Sequence, residues 1–250
     1  MSRPRKSCLN SNSIRMIQPI VESPDAVTLV GGGPVAARDL RLALARAPLA
    51  VGADSGADRL LRAGILPDAV IGDFDSLSPK ARAALPPDRL HPLADQDTTD
   101  FDKALARIKA PLILALGFQG ARIDHGLAVL NALVRHPFQP CLVIGPKDFA
   151  FACPPELTLA TRPGEAFSLF PLAPLTAESE GLYWPLQGLH FAPDGMIGTS
   201  NRVTARQVRL RVSGPGMVVI LPRSRLAAAI AALAPGLARG LAARRSARGG

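Results

Sequence analysis

Asp68-Ala69-Val70-Ile71-Gly72-Asp73-Phe74-Asp75-Ser76-Leu77 is a short apolar run that ends in a glycine and two closely spaced carboxylates. Residues 69–71 read as a buried strand, because a brief apolar run bounded by turn residues suits a strand covered on both faces. Ser78-Pro79 then opens a helix over residues 80–85. The same strand–turn–helix unit recurs on either side. Upstream, residues 26–30 form a strand, Gly31-Gly32-Gly33-Pro34 a turn, and a helix continues through Leu40, Leu44 and Arg46. Residues 49–53 give a strand ending at Asp54, and residues 55–63 a helix closed by Gly64. Downstream come a helix over 101–109, a strand over 112–116 ending at Gly117, a helix over 124–133 and a strand over 141–144. Strands that are continuous apolar runs, alternating with helices, predict a parallel sheet covered by helices.

After residue 147 the texture changes. Prolines and glycines become frequent, and short strand-like runs at 158–161, 166–170, 181–184, 206–212 and 217–221 are separated by turn residues. That pattern predicts an antiparallel sandwich or barrel. The expected fold class is thus an α/β N-terminal domain with a parallel sheet, followed by a smaller all-β sandwich or barrel domain. The expected layout is an N-terminal extension over 1–20, the α/β domain over 21–147, the β domain over 148–225, and a C-terminal helix with a basic tail over 226–250. No internal repeat is visible.

Apolar residues make up 48% of the 250, enough for a core, but aromatics are only 4%, so Ala, Leu, Val and Ile must fill it. The net charge is +9. Residues 1–20 carry four basic side chains (Arg3, Arg5, Lys6, Arg15) and residues 239–250 four more (Arg239, Arg244, Arg245, Arg248), with no acid in either segment, so the ends hold all but one of the excess charges. The basicity belongs to solvated tails. The body has no basic stripe interleaved with aromatics, which argues against a nucleic-acid partner. Cys8, Cys141 and Cys153 show neither metal-ligand nor disulfide spacing, which fits a reducing, cytoplasmic setting. No run approaches the ~18 apolar residues of a membrane span, and the first twenty residues lack the apolar stretch of a secretory signal.

Two acidic clusters carry the chemistry. One is Gly72-Asp73-Phe74-Asp75; the other is Asp95-Gln96-Asp97-Thr98-Thr99-Asp100-Phe101. Carboxylates this dense repel one another unless a cation sits among them. Asp54, Asp73, Asp75 and Asp124 all follow predicted strands, and ligands of a parallel sheet sit at the carboxyl ends of its strands. Asp97 and Asp100 precede a helix, where Asp100 could be the N-cap. Any one of these aspartates alone could be a cap or turn residue. Together they point to a Mg2+ site serving phosphate chemistry.

Other motifs are weaker. Gly31, Gly32 and Gly33 could offer backbone N–H groups to phosphates at a helix start, or simply form a tight turn. Arg122 could neutralise phosphoryl charge or pair with Asp124, and His125 could be a site or a packing residue. Tyr183 and Trp184, the only Tyr and Trp, stand side by side and could form a wall for a flat or cationic ring, or pack in the β core.

Over roughly residues 26–222 the chain resembles the thiamine pyrophosphokinase family. The resemblance rests on Asp54-Ser55-Gly56-Ala57, on Pro67 through Ser76, on Asp97-Thr98-Thr99-Asp100-Phe101, on Gly117 through His125, and on Trp184 with Thr199-Ser200-Asn201. Departures are Ser55 and Ala121 where the family has glycine, and Val129 where many relatives have Asn. The resemblance implies transfer of the pyrophosphoryl group of ATP to the hydroxyl of thiamine, giving thiamine diphosphate and AMP. It implies Mg2+ held by Asp73, Asp75 and Asp100 with Asp54 and Asp97 close by. It also implies ATP contacts from Gly32, Gly33, Thr99, Arg122, Asp124 and His125, thiamine stacked on Trp184 and hydrogen-bonded by Ser200 and Asn201, and a homodimer with thiamine between subunits. A non-catalytic nucleotide- or thiamine-binding module, and a Mg2+-dependent diphosphokinase acting on another small alcohol such as a pterin, are the alternatives.

Overall fold

Residues 18–94, 97–120 and 122–237 are described by a computed structural model, in which the apolar runs become strands and the stretches between them helices. The first part runs β1 (Val21–Glu22), β2 (Val27–Val30), α1 (Ala37–Leu44), β3 (Leu49–Ala53), α2 (Gly56–Arg62), β4 (Ala69–Gly72), α3 (Pro79–Ala84), β5 (Leu90–Pro92), α4 (Asp100–Arg107), β6 (Ile108–Lys109), β7 (Ile113–Leu116), α5 (Ile123–Arg135) and β8 (Cys141–Ile144). Strands β2, β4, β7 and β8 are buried at every position, as their unbroken apolar sequences require. The helices turn single apolar stripes inward: Leu40 and Ala43 of α1, Phe101, Ala104 and Leu105 of α4, and Val129, Ala132 and Leu133 of α5.

The second part runs β9 (Asp148–Ala152), β10 (Glu156–Ala160), β11 (Ala166–Pro171), β12 (Leu175–Glu180), β13 (His190–Phe191), β14 (Gly198–Arg202), β15 (Gln207–Val212), β16 (Met217–Pro222) and α6 (Leu226–Leu233). Strands β12 and β15 alternate strictly between buried and exposed, the period-2 pattern of a half-buried antiparallel sheet.

The main sheet has ten strands in the order β14-β11-β16-β9-β8-β7-β2-β3-β4-β5. From β8 to β5 all neighbours are parallel. Within this sheet the chain enters at β2, steps outward through β3, β4 and β5, then returns to the other side of β2 with β7 and β8. The β2–β7 junction is therefore a point where the winding reverses, and ligands of such sheets sit in the crevice at the strands' carboxyl ends. A separate sheet, antiparallel throughout, has the order β10-β15-β12-β13.

The sheet does not stop where the composition changes. Strand β9 turns back beside β8, pairing Val143 with Ala150 and Ile144 with Phe149, and β16, β11 and β14 extend the same sheet. One buried cluster reaches from Val30 and Leu40 through Phe149 and Phe151 to Leu210. The anticipated division at residues 147 and 148 is thus bridged by continuous pairing and continuous core.

Three local expectations are corrected. Residues 181–184 are not a strand; only Leu182 bridges, to Val203. Thr199-Ser200-Asn201 lies within β14 rather than in a turn, and Ser200 takes a φ of 61° where the pairing with β11 slips register. The N-cap of α4 is Thr99, whose hydroxyl accepts from Asp102 N, not Asp100. Residues 1–17 of the expected extension, Asp95, Gln96, Ala121 and the tail from 238 onward lie outside the described residues. Among the described residues no helix is long and apolar enough to cross a membrane.

Candidate active site

The carboxyl ends of β2, β3, β4 and β7 and the start of α4 surround a cleft of about 460 Å3. Asp54, Asp73, Asp75, Thr99 and Asp100 line it, together with Gly32, Gly33, Arg122 and His125. Asp97 and Asp124, also expected here, are not part of its wall.

The Gly-Asp-Phe-Asp segment works by splitting its side chains. Phe74 is buried against Leu77, Ala81 and Leu85 and takes the left-handed φ of 65°. With the ring anchored, the flanking carboxylates of Asp73 and Asp75 turn to the cleft. Asp54, at the end of β3, is also left-handed, with φ 45°. Strained non-glycine backbone of this kind persists only where the surroundings enforce it, and it clusters at functional sites. Ser55, where the family has glycine, sits in ordinary right-handed helical geometry with φ −61°, so this departure carries no backbone penalty.

Ligand atoms of Asp54, Asp73 and Asp75 all lie within 4.8 Å of one another. Asp54 is 2% exposed, and its Oδ1 is buried with no hydrogen-bond partner. Burial, with the Asp100 charge added, holds the Asp54 carboxyl above the ordinary carboxylate range. An orphaned buried carboxylate oxygen beside two more carboxylates fits a hard divalent cation. The resemblance implied Asp100 in this trio. The structure puts Asp54 there, and sets Asp100 beside a lysine.

That lysine is Lys103, which sequence reasoning missed. Its side chain is 4% exposed, with Nζ 2.8 Å from Asp73 Oδ2 and 3.4 Å from Asp100 Oδ1. The Lys103 bond holds Asp73 below the usual carboxylate range. Burial pushes Asp100 up, and the Asp73 charge adds to this against the pull of Lys103. For Lys103 itself burial alone would lower the pKa, but its bond to Asp73 and the two carboxylate charges leave it raised, so it stays a cation. The signal available in sequence was the three-residue spacing from Asp100, which stacks both on one helix face.

The glycine loop is tied down rather than open. Gly31 N donates to Leu116 O and Gly33 N donates to Gly117 O, each at 2.8 Å. A Cβ on Gly33 would come within 2.6 Å of Gly117 O, so glycine is required by the close approach of the two loops. Two of the three amides expected to cradle phosphate are therefore spent, and Gly33 is a packing glycine. Among the described residues the Gly32 N–H bonds to no carbonyl, while its carbonyl accepts from Arg59 Nε and Nη2 at 2.8 and 2.6 Å. Arg59 thus places positive charge at the loop.

Arg122 and Asp124 form an exposed pair, with Nη2 2.5 Å from Oδ2. The Arg122 guanidinium holds Asp124 down at about 2. Asp124 orients Arg122 at the rim of the cleft. Val129 contributes an apolar stretch of wall.

Trp184 and Tyr183 lie elsewhere, beside β14. Both are about half exposed, at 54% and 53%, and their rings meet edge to face at 4.9 Å. The Arg202 guanidinium covers the other side of Tyr183, 4.4 Å from the ring centroid. Core packing of these aromatics is thereby excluded. Asn201 is 2% exposed, and its amide is occupied by the Trp184 backbone. It supports the aromatic wall rather than presenting its own amide. Ser200 stays exposed, its N–H donating to Ser168 Oγ at 3.0 Å.

Comparison with known proteins agrees with this layout. Residues 40–144 match the family description "Thiamin pyrophosphokinase, catalytic domain", and residues 156–215 match "Thiamin pyrophosphokinase, vitamin B1 binding domain". The chain is 30% identical over 192 residues to thiamine pyrophosphokinase 3 of Oryza sativa, covering 63% of this chain and 72% of the relative. It is 36% identical over 116 residues to the Bacillus subtilis thiamine pyrophosphokinase, spanning 44% of this chain and 54% of that one. Among solved structures, the thiamin pyrophosphokinase of Geobacillus thermodenitrificans superposes with a TM-score of 0.65 at 24% identity, covering 79% of this chain and 96% of that chain. That of Candida albicans superposes with 0.67 at 17%, covering 89% and 97%. At these identities the structural likeness shows the fold.

Proposed function

We propose that this chain, which belongs to the thiamine pyrophosphokinase family and transfers the pyrophosphoryl group of ATP to thiamine, does so in the cleft over β3, β4 and α4. The observation that carries the assignment is the carboxylate trio of Asp54, Asp73 and Asp75 around an orphaned buried oxygen, with Lys103 behind it.

Mg2+ would be held by Asp73, Asp75 and Asp54; when bound it neutralises phosphate charge and steadies the leaving group. Lys103 keeps Asp73 ionised and aimed. Asp100, raised by burial, closes the far side. Arg122 lines the cleft and Arg59 is bonded to the glycine loop beside it, where guanidinium charge would favour charge that develops in transfer. Thr98 and Thr99 line the same wall. Transfer through a loose transition state needs positioning and charge more than a strong base. No side chain on this wall is set apart as one.

Trp184 and Ser200 would receive thiamine, with Asn201 holding Trp184 in place. Trp184 does not line the cleft of its own chain. Ile123 and Leu127, one turn apart at the rim-side start of α5, are 81% and 58% exposed, and Met196 and Ile197, leading into β14, are 49% and 40% exposed. A second copy that seats its β14 face against α5 would cover both apolar surfaces and bring Trp184 to the cleft, so we place the functional unit as a homodimer. Cys141 and Cys153 are buried free thiols, which supports a cytoplasmic setting.

The test is incubation of the pure protein with ATP, Mg2+ and thiamine. Formation of AMP with thiamine diphosphate is expected. ADP formation, or binding without turnover, overturns the assignment.

A further inference from the structure

On the face of the main sheet away from α4 and α5, a cavity of about 490 Å3 opens between α1 and the residues that lead into α6. That volume falls within the range of about 300–1,000 Å3 seen for small-molecule sites. Strand alternation separates the two faces. Leu142 and Ile144 of β8 join the core that holds α1 and α6, while Cys141 and Val143 join the core that holds α4 and α5. The cavity shares no lining residue with the catalytic cleft.

Its walls invert the charge of the cleft. Where the cleft gathers carboxylates, this cavity gathers the guanidinium groups of Arg38, Arg46 and Arg223 around a single carboxylate, Asp39. Asp39 is already spent on Arg223, with Nη1 2.8 Å from Oδ2 and a second bond from Nη2 to Oδ1. Among the described residues neither Arg38 nor Arg46 forms an ion pair, so the cavity carries an excess of positive charge. Both belong to one stripe of α1 and its last turn, four residues to either side of Leu42. Arg46 is turned back along that stripe by a bond from Nη1 to Leu42 O at 2.7 Å. Leu42 itself is left 39% exposed between the two cations, and with Ala43, Ile144 and Leu226 it gives the cavity an apolar floor.

We infer that this cavity is a binding site for a small organic phosphate, with the phosphate held by Arg38 and Arg46 and an apolar body lying on Leu42 and Ile144. Guanidinium groups present forked N–H donors that match phosphate oxygens, and a doubly charged phosphate offsets both unpaired cations where a carboxylate offsets one. The apolar floor rewards a body that inorganic phosphate lacks. In the cleft, by contrast, phosphates meet aspartates and need a metal ion to offset them. That difference separates the two sites experimentally, and the inference stands whether or not the cleft is catalytic, because its test reads no turnover.

The experiment is isothermal titration of the full chain, in metal-stripped buffer at low salt, with inorganic phosphate and with phenyl phosphate. Wild type should bind both, phenyl phosphate about tenfold more tightly, and both affinities should fall as salt is added. The double variant Arg38→Gln with Arg46→Gln should weaken both at least about tenfold, while its melting temperature without ligand holds or rises. Arg38→Gln alone, at an exposed position, should weaken both in the same direction and decides the matter if the double variant fails to fold. Leu42→Ser should leave inorganic phosphate unchanged and remove most of the advantage of phenyl phosphate. Asp73→Asn should bind both probes as wild type does. No binding by wild type, full affinity in the arginine variants, or an unchanged phenyl phosphate advantage in Leu42→Ser overturns the inference. So does an affinity altered by Asp73→Asn, which would place the probes in the cleft.

Discussion

Asn201 grips the backbone of Trp184 from both sides: its Oδ1 accepts from Trp184 N at 3.2 Å and its Nδ2 donates to Trp184 O at 2.8 Å. The same Oδ1 accepts from Arg202 N at 2.7 Å. The ring itself is half exposed and contributes little to the core. The two residues therefore predict different phenotypes. Trp184→Ala should leave the melting temperature nearly unchanged and raise KM for thiamine about tenfold, the worth of one desolvated cation–π or stacking contact. Asn201→Ala should raise the same KM and also cost about 1–3 kcal/mol of stability, because buried backbone N–H groups lose their acceptor. KM for ATP should hold in both. A Trp184→Ala protein with lowered stability and unchanged thiamine KM would return the ring to a packing role.

Asp54 Oδ1 is buried without a hydrogen-bond partner, and in the proposed site a cation would take that oxygen. Mg2+ should raise the melting temperature of the wild type by mass action on the folded state. Asp73→Asn should abolish that increment and nearly abolish turnover, while its melting temperature in metal-free buffer holds or rises, since one repelling charge is gone. Thermal melts with and without Mg2+ check this; near-normal turnover by Asp73→Asn would end the metal-site argument.

Lys103 is the counter-ion already built in. Lys103→Met leaves Asp73 and Asp100 facing each other with no cation between them. Asp73 is partly open to water, so the expected loss in metal-free buffer is about 2 kcal/mol, below the roughly 3–5 of a fully buried broken pair. Excess Mg2+ should restore much of it, while turnover stays low. A variant equally stable with and without Mg2+ would show that Lys103 and the metal do not share the carboxylates.

The residues that were legible in the sequence are those whose neighbours in the chain decide their structure. The unbroken apolar runs of β3 and β8 declare buried strands at residues 49–53 and 141–144. Gly72 through Asp75 declared an acidic strand end. Partnerships made across the fold were hidden. Lys103 looks like an ordinary helix cation until β4 brings Asp73 against it, thirty positions away. Strand β14, Gly-Thr-Ser-Asn-Arg, has no apolar alternation and is a strand only because β11 pairs with it. Strand β9 follows a Gly-Pro-Lys turn that reads as a boundary, yet its backbone closes on β8. The three glycines announced a tight loop, but not that Gly117 O would take the Gly33 amide.

If Trp184 of one copy serves the cleft of the other, two crippled enzymes should rescue each other. Asp73→Asn lacks a cleft but keeps the aromatic wall; Trp184→Ala lacks the wall but keeps the cleft. Subunit exchange between them places one intact cleft opposite one intact wall in every mixed dimer. Activity of the mixture should rise well above that of either parent. A mixture no more active than the separate parents, under conditions where exchange is shown by light scattering or tagged copurification, would mean that each chain builds its site alone.

Asp39 and Arg223 tie α1 to the segment before α6 through a bidentate pair whose side chains are 20% and 25% exposed. The hydrogen bonds from Arg223 hold Asp39 below its ordinary value of 3.8 despite some desolvation. A carboxyl with a depressed folded-state pKa contributes stability that is fully present above the unfolded value and is lost as pH falls through the folded one. Arg223→Met should therefore lower the melting temperature by a constant amount at neutral and mildly acidic pH. The gap from wild type should close only below pH 3.8, as Asp39 becomes protonated in both. Parallel melting curves across pH in the two proteins measure this directly. A gap that persists unchanged into strong acid would show that Arg223 acts through its packed stem against α6, not through its charge on Asp39.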